Sequence, residues 1–256
     1  MNKNKGLLIL LVFILTMSVI SFAQEMNTEA GKLYNEGNSQ LKAGNYNGAI
    51  SNYDKALTIE KDYRIYYQKG VAQKKANDLP GSKASLEESI KLKNDFEPGY
   101  NALGGVYFSM GNYNEAINKF EKVLTLSNNA SVTKKVKKNL SLAYTKLGND
   151  QISQGNAPKA VEYLTKAVEN DNYDAAYLSL AKLYSELGEW DKSISASQNA
   201  LKHKSKITSG GPNFYMGIAY KGKGDIQKAK EMFEKAKQDA TYKKTAEYEL
   251  SLLNYT

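Results

Sequence analysis

The chain has 256 residues, no cysteine, one histidine and a formal net charge of +8. The lack of cysteine excludes disulfides, thiolate nucleophiles, zinc–thiolate sites and iron–sulfur clusters, and a single histidine argues against a histidine metal cage or a Ser-His-Asp triad. Arg64 is the one arginine, and a positive charge carried by lysine suits the bidentate reading of phosphates or bases poorly.

Residues 1–23 have the three-part pattern of a secretory signal peptide. Lys3 and Lys5 precede an almost entirely apolar run over residues 6–20, and small residues occupy two of the three positions that follow, 21–23. The run is shorter than the roughly 20 apolar residues that a membrane-spanning helix needs. We therefore predict cleavage after residue 23, with an uncleaved anchor as the alternative, and a flexible segment over residues 24–29. The mature chain is expected to contain no integral membrane span.

A small residue, glycine in five cases and alanine in one, recurs in register along the rest of the chain, each time inside an apolar stretch that contains tyrosine. The spacings between successive marks are 33, 34, 44, 33 and 36 residues, and a breaker residue follows each mark by seven positions. A period near 34 residues indicates a solenoid built from helix pairs. The marked positions are Gly37, Gly70, Gly104, Gly148, Ala181 and Gly217.

The segment Tyr100 to Tyr107, followed by Gly111, Tyr113 and Phe120, resembles the tetratricopeptide repeat. The resemblance covers nearly all of the chain after residue 29. It implies an all-α, right-handed superhelical solenoid of about six helix-turn-helix repeats with a C-terminal capping helix. We predict repeats at 30–62, 63–96, 97–130, 141–173, 174–209 and 210–242, an insert at 131–140, and a capping helix and tail at 243–256.

Three local features depart from a regular repeat pattern. Val132, Val136 and Leu140 continue an apolar stripe through the insert, which predicts an extended first helix for the fourth repeat. Ser197 stands where the other repeats have a large residue, so the fifth repeat is expected to have a thin core. Residues 202–212 are polar and glycine-rich, which predicts a loop.

Tetratricopeptide proteins line a concave face with the first helix of each pair, so the resemblance implies a protein or peptide partner in this groove. Aromatic side chains would supply contact area, asparagines would bond a peptide backbone, and lysines would favour acidic groups. Packing between neighbouring helices is the alternative for the aromatic residues. The predicted lining residues are Tyr34, Asn38, Tyr67, Lys74, Lys75, Asn101, Phe108, Asn149, Lys182, Phe214 and Lys221.

Two charged features are less specific. A chaperone-type carboxylate clamp is not predicted, because Asn38 alone fits among the five positions that the clamp uses. The lysines between Lys134 and Lys138 are interpreted as a solvated helix face, with acidic lipid headgroups or a polyanion as the alternative ligand.

We therefore expect a non-enzymatic protein-interaction scaffold that needs no cofactor and no metal and binds no nucleic acid. The signal-peptide pattern predicts export to the periplasm or cell envelope, with secretion as an alternative. A membrane-anchored assembly factor is the second hypothesis. A glycan-binding module that stacks sugars on the groove aromatics is the third.

Overall fold

The structure is a computed structural model that describes residues 25–253, and this part of the chain forms thirteen α-helices and no strand. The predicted signal peptide lies outside the described residues. The helices are α1 (Thr28–Lys42), α2 (Tyr46–Ile59), α3 (Tyr63–Lys75), α4 (Leu79–Leu92), α5 (Glu97–Ser109), α6 (Tyr113–Leu126), α7 (Ala130–Ser153), α8 (Ala157–Asn170), α9 (Asp174–Glu186), α10 (Trp190–Lys202), α11 (Gly210–Gly222), α12 (Ile226–Ala236) and α13 (Lys243–Leu252).

Consecutive helices pack as pairs, from α1 with α2 to α11 with α12, and each pair contacts the next along the chain. The prediction of an all-α helical solenoid is confirmed. One boundary differs, because α1 begins inside the segment predicted to be flexible. The Asn27 carboxamide oxygen accepts hydrogen bonds from the backbone N–H groups of Glu29 and Ala30, and such a cap satisfies donors that the first helical turn leaves free.

The breaker positions of the sequence are the turns inside the helix pairs. Five glycines there have φ between +72° and +80°, and Asn77 has φ of +63°. Glycine adopts this left-handed conformation without a steric penalty, and asparagine tolerates it better than most residues. The second helix then begins on a side-chain cap in four of the pairs, at Asn45, Asp78, Asn156 and Asp225.

Each regular helix pair is closed by a glycine that faces a large side chain sixteen positions later. A Cβ atom on Gly104 would lie 2.7 Å from Phe120 Cε1, and one on Gly217 would lie 2.6 Å from Phe233 Cδ1. Both rings are buried, so the two backbones approach as closely as the ring allows. The same relation joins Gly37 to Tyr53, Gly70 to Leu86 and Gly148 to Leu164.

The fifth pair departs from this combination of a glycine and a large side chain. Ala181 replaces the glycine and Ser197 replaces the large side chain, and both are fully buried. The fifth pair therefore has less side-chain volume at these two positions than the other pairs, as the sequence predicted. Within residues 25–253, the Ser197 hydroxyl is the one fully buried side-chain polar atom that has no hydrogen-bond partner.

Replacing Ser197 with alanine is expected to raise the free energy of unfolding by about 1 kcal/mol, because the change removes a buried hydroxyl without breaking a hydrogen bond. Equilibrium urea unfolding measures the effect. Ser193→Ala is the matched control, since the Ser193 hydroxyl is also buried but donates to the Ala181 carbonyl at 2.8 Å. It should lower the free energy of unfolding, and effects of the same sign would contradict the assignment.

The fourth pair has an unusually long first helix. α7 runs without interruption for 24 residues, against 13 in α5. Val136 and Leu140 are buried in the core that α7 shares with the preceding pair, and Val132 packs against it. The insert is therefore the extended helix that the apolar stripe predicted.

Neighbouring pairs are joined by tyrosine hydroxyls. Tyr107 donates to Glu87 at 2.9 Å, and Tyr144 donates to Glu121 at 3.0 Å. Burial, together with these hydrogen bonds to carboxylates, raises the pKa of both tyrosines to about 12. Both therefore act as neutral donors at physiological pH.

The C-terminal helix α13 packs on α12 and covers the core of the last pair. Ala246 and Leu253 are buried, and Leu250 packs beside them. Glu249 of α13 also pairs with Lys221 of α11 at 2.6 Å. An end helix of this kind shields apolar surface that the next repeat would otherwise cover.

The loop between α10 and α11 covers residues 203–209 and is shorter than predicted, because residues 210–212 form the first turn of α11. One carboxylate attaches this loop to the core. Asp174, at the start of α9, is fully buried. Its Oδ2 accepts backbone N–H groups of Ser205 and Lys206 at 2.5 Å and of Ile207 at 3.1 Å, and its Oδ1 accepts the N–H of Ala175. The loop is therefore held at three successive residues.

Candidate peptide-binding groove

Two clefts lie on the surface formed jointly by α3, α5 and α7, the first helices of the second, third and fourth pairs. We name them after one lining residue each, the Lys74 cleft and the Tyr67 cleft; their volumes are 260 and 230 Å³. The Lys74 cleft is lined by Lys74, Gly105, Phe108, Ser109, Phe120, Asn139 and Leu142. The Tyr67 cleft is lined by Tyr67, Glu97, Pro98, Asn101, Ala102, Val132, Lys135 and Val136.

The two clefts are related by a shift of seven residues on every helix. Where Tyr67 of α3 lines one cleft, Lys74 lines the other. Asn101 and Phe108 of α5 correspond in the same way, and so do Val132 and Asn139 of α7. Seven residues of α-helix span about 10.5 Å. The two clefts therefore lie along the same three helices, about two helical turns apart. We refer to them together as the groove.

The Lys74 cleft places a cation against apolar walls. Lys74 Nζ lies 2.9 Å from the position that a Cβ atom on Gly105 would occupy, so the missing side chain makes room for the ammonium group. Phe108 and Leu142 line the same cleft. Removal from water lowers the pKa of Lys74, and no residue between 25 and 253 forms a hydrogen bond or ion pair with its ammonium group.

The Tyr67 cleft is more polar. Tyr67 packs edge-on against Phe96, with ring centroids 5.2 Å apart, and burial raises its pKa. Asn101 is exposed at the mouth, so its carboxamide is available to a peptide backbone. Glu97 and Lys135 supply opposite charges to the lining.

The structure brings four of the predicted lining residues together in this groove, namely Tyr67, Lys74, Asn101 and Phe108. Lys75, adjacent to Lys74, points elsewhere, because its ammonium group lies 6.0 Å from the ring centroid of Tyr46 at the start of α2.

The predicted residues of the first repeat are engaged in its own core. The Tyr34 ring packs at 6.1 Å from the ring of Tyr53, and Asn38 accepts a hydrogen bond from the Tyr53 hydroxyl at 2.8 Å. Tyr53 is fully buried. Asn38 therefore supplies the acceptor that a buried phenol requires.

Replacing Asn38 with alanine is expected to lower the free energy of unfolding by about 1 to 2 kcal/mol, because the buried Tyr53 hydroxyl loses its acceptor. Thermal or urea unfolding measures the loss. The double variant with Tyr53→Phe should recover part of it, since the orphaned hydroxyl is removed as well. No recovery would contradict the assigned hydrogen bond.

The remaining predicted residues lie on the fourth to sixth pairs, away from the two clefts. Lys182 faces Glu186 at 3.8 Å, and Lys221 binds Glu249 of the capping helix. Asn149 is half-buried on the C-terminal half of α7. Phe214 packs among the rings of Tyr215, Phe233 and Tyr242, with centroids 5.4 to 5.7 Å away.

The N-terminal half of α7 contributes groove residues that sequence mapping missed. Val132, Lys135, Asn139 and Leu142 follow one another at intervals of three, four and three residues, which is one face of a helix. The family register begins the fourth repeat at residue 141 and so omits the three residues of the insert. Leu142 lies inside the repeat but is not among the predicted lining residues. The helical spacing of these residues was a signal that could have revealed them.

Among residues 25–253 no three His, Asp or Glu side chains come together as ligands for a metal ion. None of the helices described here combines the length and apolar character needed to cross a membrane.

The paired helices, the turn residues and the open groove define an α-helical repeat protein. Models described as tetratricopeptide repeat match residues 98–172 and 145–212, and a third such model matches three times, at 33–63, 63–96 and 215–238. Together they span most of the chain, which belongs to the tetratricopeptide repeat family.

The curated relatives of this chain match it over only part of its length. The chain is 27% identical over 137 residues to small glutamine-rich tetratricopeptide repeat-containing protein 2 of Mycosarcoma maydis, a match that covers 52% of this chain and 39% of the fungal protein. It is 30% identical over 87 residues to the Hsp70-Hsp90 organizing protein of Triticum aestivum, covering 34% and 15%. The chain thus spans less than half the length of these curated relatives.

Among solved structures, that of YrrB, described as a TPR protein with an unusual peptide-binding site, is similar with a TM-score of 0.51. The two chains are 21% identical, and the match covers 77% of this chain and 96% of YrrB. At this identity the likeness concerns the fold.

Proposed function

We propose that this protein is an exported, non-enzymatic scaffold of the cell envelope that holds a segment of a partner protein in the groove of α3, α5 and α7. The observation that carries the proposal is the pair of clefts on the same three helices. Each cleft joins apolar walls to polar groups, which is the combination that peptide grooves use for affinity and orientation.

The size of the clefts favours a polypeptide over a small molecule. Each cleft, at 230 to 260 Å³, is smaller than the roughly 300 to 1,000 Å³ of a typical ligand pocket. Two such clefts about 10 Å apart suit two side chains of one segment. The solved structure of YrrB, a protein of similar fold described as having a peptide-binding site, agrees with this choice.

Export is supported by the sequence of residues 1–23, with its lysines, apolar run and small residues before the expected cleavage point. We expect the protein recovered from the envelope fraction to begin at Gln24. N-terminal sequencing or mass spectrometry tests this. A chain that starts at Met1 and stays in the membrane fraction would instead favour the anchored alternative.

The groove is tested by photo-crosslinking in living cells. A photoreactive amino acid at Asn101, which is exposed at the Tyr67 cleft, is expected to form a covalent adduct with a partner protein. Asn118 is the matched control, because it is an equally exposed asparagine on the second helix of the same pair. The groove assignment fails if position 101 gives no adduct, or if both positions give the same one.

A further inference from the structure

We propose that the groove selects an acidic partner segment, with one carboxylate of that segment paired to Lys74 and an apolar neighbour packed against Phe108. This inference rests on the proposed function and adds the chemistry of the partner. Lys74 does not occupy any of the five positions of the chaperone-type carboxylate clamp. Of those five positions, only the one at Asn38 has a fitting residue in this chain.

The first step is the state of the Lys74 side chain. Its ammonium nitrogen lies 2.9 Å from the position of a Cβ atom on Gly105, in a cleft that Phe108 also lines, and none of the described residues pairs with it. By contrast, Lys69 on the same helix binds Asp54 at 2.6 Å. Lys74 is an exposed residue without a partner in the described part of the chain, so a carboxylate that enters the cleft can reach its ammonium group and form a charge-assisted hydrogen bond with it.

The second step is the charge around the groove. From residue 122 to residue 149 the chain contains six lysines and no acidic residue, and none of the six forms an ion pair with a described residue. Lys135 lines the Tyr67 cleft. Glu97 is the one acidic side chain in either lining, so the Lys74 cleft itself contains no negative side chain. This field favours the approach of an acidic segment.

The third step separates a peptide from other polyanions. The Lys74 cleft is recessed and has the apolar side chains of Phe108, Phe120 and Leu142 in its walls. Phosphate groups of lipids or nucleic acids gain nothing from contact with apolar walls. A peptide with an acidic residue beside a leucine or phenylalanine can pair with the lysine and also pack against the apolar walls. Asn139 adds a carboxamide that can bond a peptide backbone.

The test uses the protein and a fluorescein-labelled peptide of alternating glutamate and leucine, with binding followed by fluorescence anisotropy. Lys74→Gln is expected to raise Kd about tenfold, equivalent to about 1.4 kcal/mol, and Lys74→Arg should retain binding. Lys75→Gln is the matched control, since it removes the same charge from the neighbouring position, which faces Tyr46. It should change Kd less than twofold, and added salt should weaken wild-type binding.

Three results would overturn the inference. They are equal losses for Lys74→Gln and Lys75→Gln, equal binding of the matching glutamine–leucine peptide, or binding of anionic vesicles or polyphosphate but not of the acidic peptide. Circular dichroism establishes that each variant is folded. If crosslinking at position 101 captures a partner whose bound segment lacks acidic residues, the scaffold proposal stands and this inference fails.

Discussion

Replacing Asp174 with alanine is expected to lower the free energy of unfolding by about 3 kcal/mol. The carboxylate is fully buried and accepts three successive N–H groups of the loop at residues 205–207. Hydrogen bonds to a charged group contribute about 1.5 to 3 kcal/mol each, and the loop residues recover part of this from water because they are largely exposed. Urea unfolding measures the loss, and hydrogen exchange should show faster exchange at 205–207.

Asp191→Ala is the matched control for this prediction. Asp191 pairs with Lys223, but its side chain is 82% exposed, and ion pairs of that kind contribute little to stability. The assignment of Asp174 would be contradicted if both alanine variants were equally stable, or if exchange in the loop were unchanged.

The Asp174 interaction also has a defined pH dependence. Burial alone would raise the pKa of Asp174, but the backbone hydrogen bonds from Lys206, Ser205 and Ile207 outweigh it and place the pKa below its usual range. Because the folded pKa is depressed, the stabilisation is complete above the unfolded value near 3.9 and is lost as pH falls through the lower folded value. The difference between wild type and Asp174→Ala should therefore be constant at neutral pH and shrink in acid.

Replacing Gly104 with alanine is expected to lower the free energy of unfolding by about 2 kcal/mol. Alanine favours a helix over glycine by about 1 kcal/mol, yet its Cβ atom would lie 2.7 and 2.8 Å from two atoms of the Phe120 ring. That ring is only 2% exposed, and overpacking of this kind costs about 1 to 3 kcal/mol or more. The steric effect therefore outweighs the gain in helix propensity.

Two variants test whether the ring is the cause. Gly31→Ala, where a Cβ atom would have nothing within 4 Å, should leave stability unchanged or raise it by up to about 1 kcal/mol. Phe120→Ala alone should cost about 3 to 5 kcal/mol, and combining it with Gly104→Ala should cost clearly less than the sum. Additive effects in this double-mutant cycle would show that the glycine and the ring do not interact.

The fifth helix pair differs from the others at the two positions that correspond to Gly104 and Phe120. There Ala181 and Ser197 take the repeat positions of the glycine and the large side chain, and both are fully buried. The sequence showed both substitutions, because they fall at fixed positions of the repeat. That the buried Ser197 hydroxyl lacks a hydrogen-bond partner among the described residues became visible only in the packed structure.

Some residues of the candidate groove could be predicted from the sequence, and others could not. Tyr67, Lys74, Asn101 and Phe108 were identified from the family register, since the neighbouring helices keep that register. Phe214 has the same repeat position as Tyr67, but it packs against the ring of Tyr242. Asn38, at another predicted lining position, accepts a hydrogen bond from the buried Tyr53 hydroxyl. Lys135 escaped prediction because it belongs to the insert.

The helices, their turns, the glycine contacts and the capping helix follow from local sequence, because they depend on residues at most about one repeat apart and on intrinsic preferences of glycine, asparagine and apolar side chains. Which side chains share a cleft depends on tertiary packing. The groove joins α3, α5 and α7, whose lining residues are up to 75 positions apart between Tyr67 and Leu142. Their convergence, and the lack of a partner for Lys74, depend on how successive helix pairs stack, which no local pattern encodes.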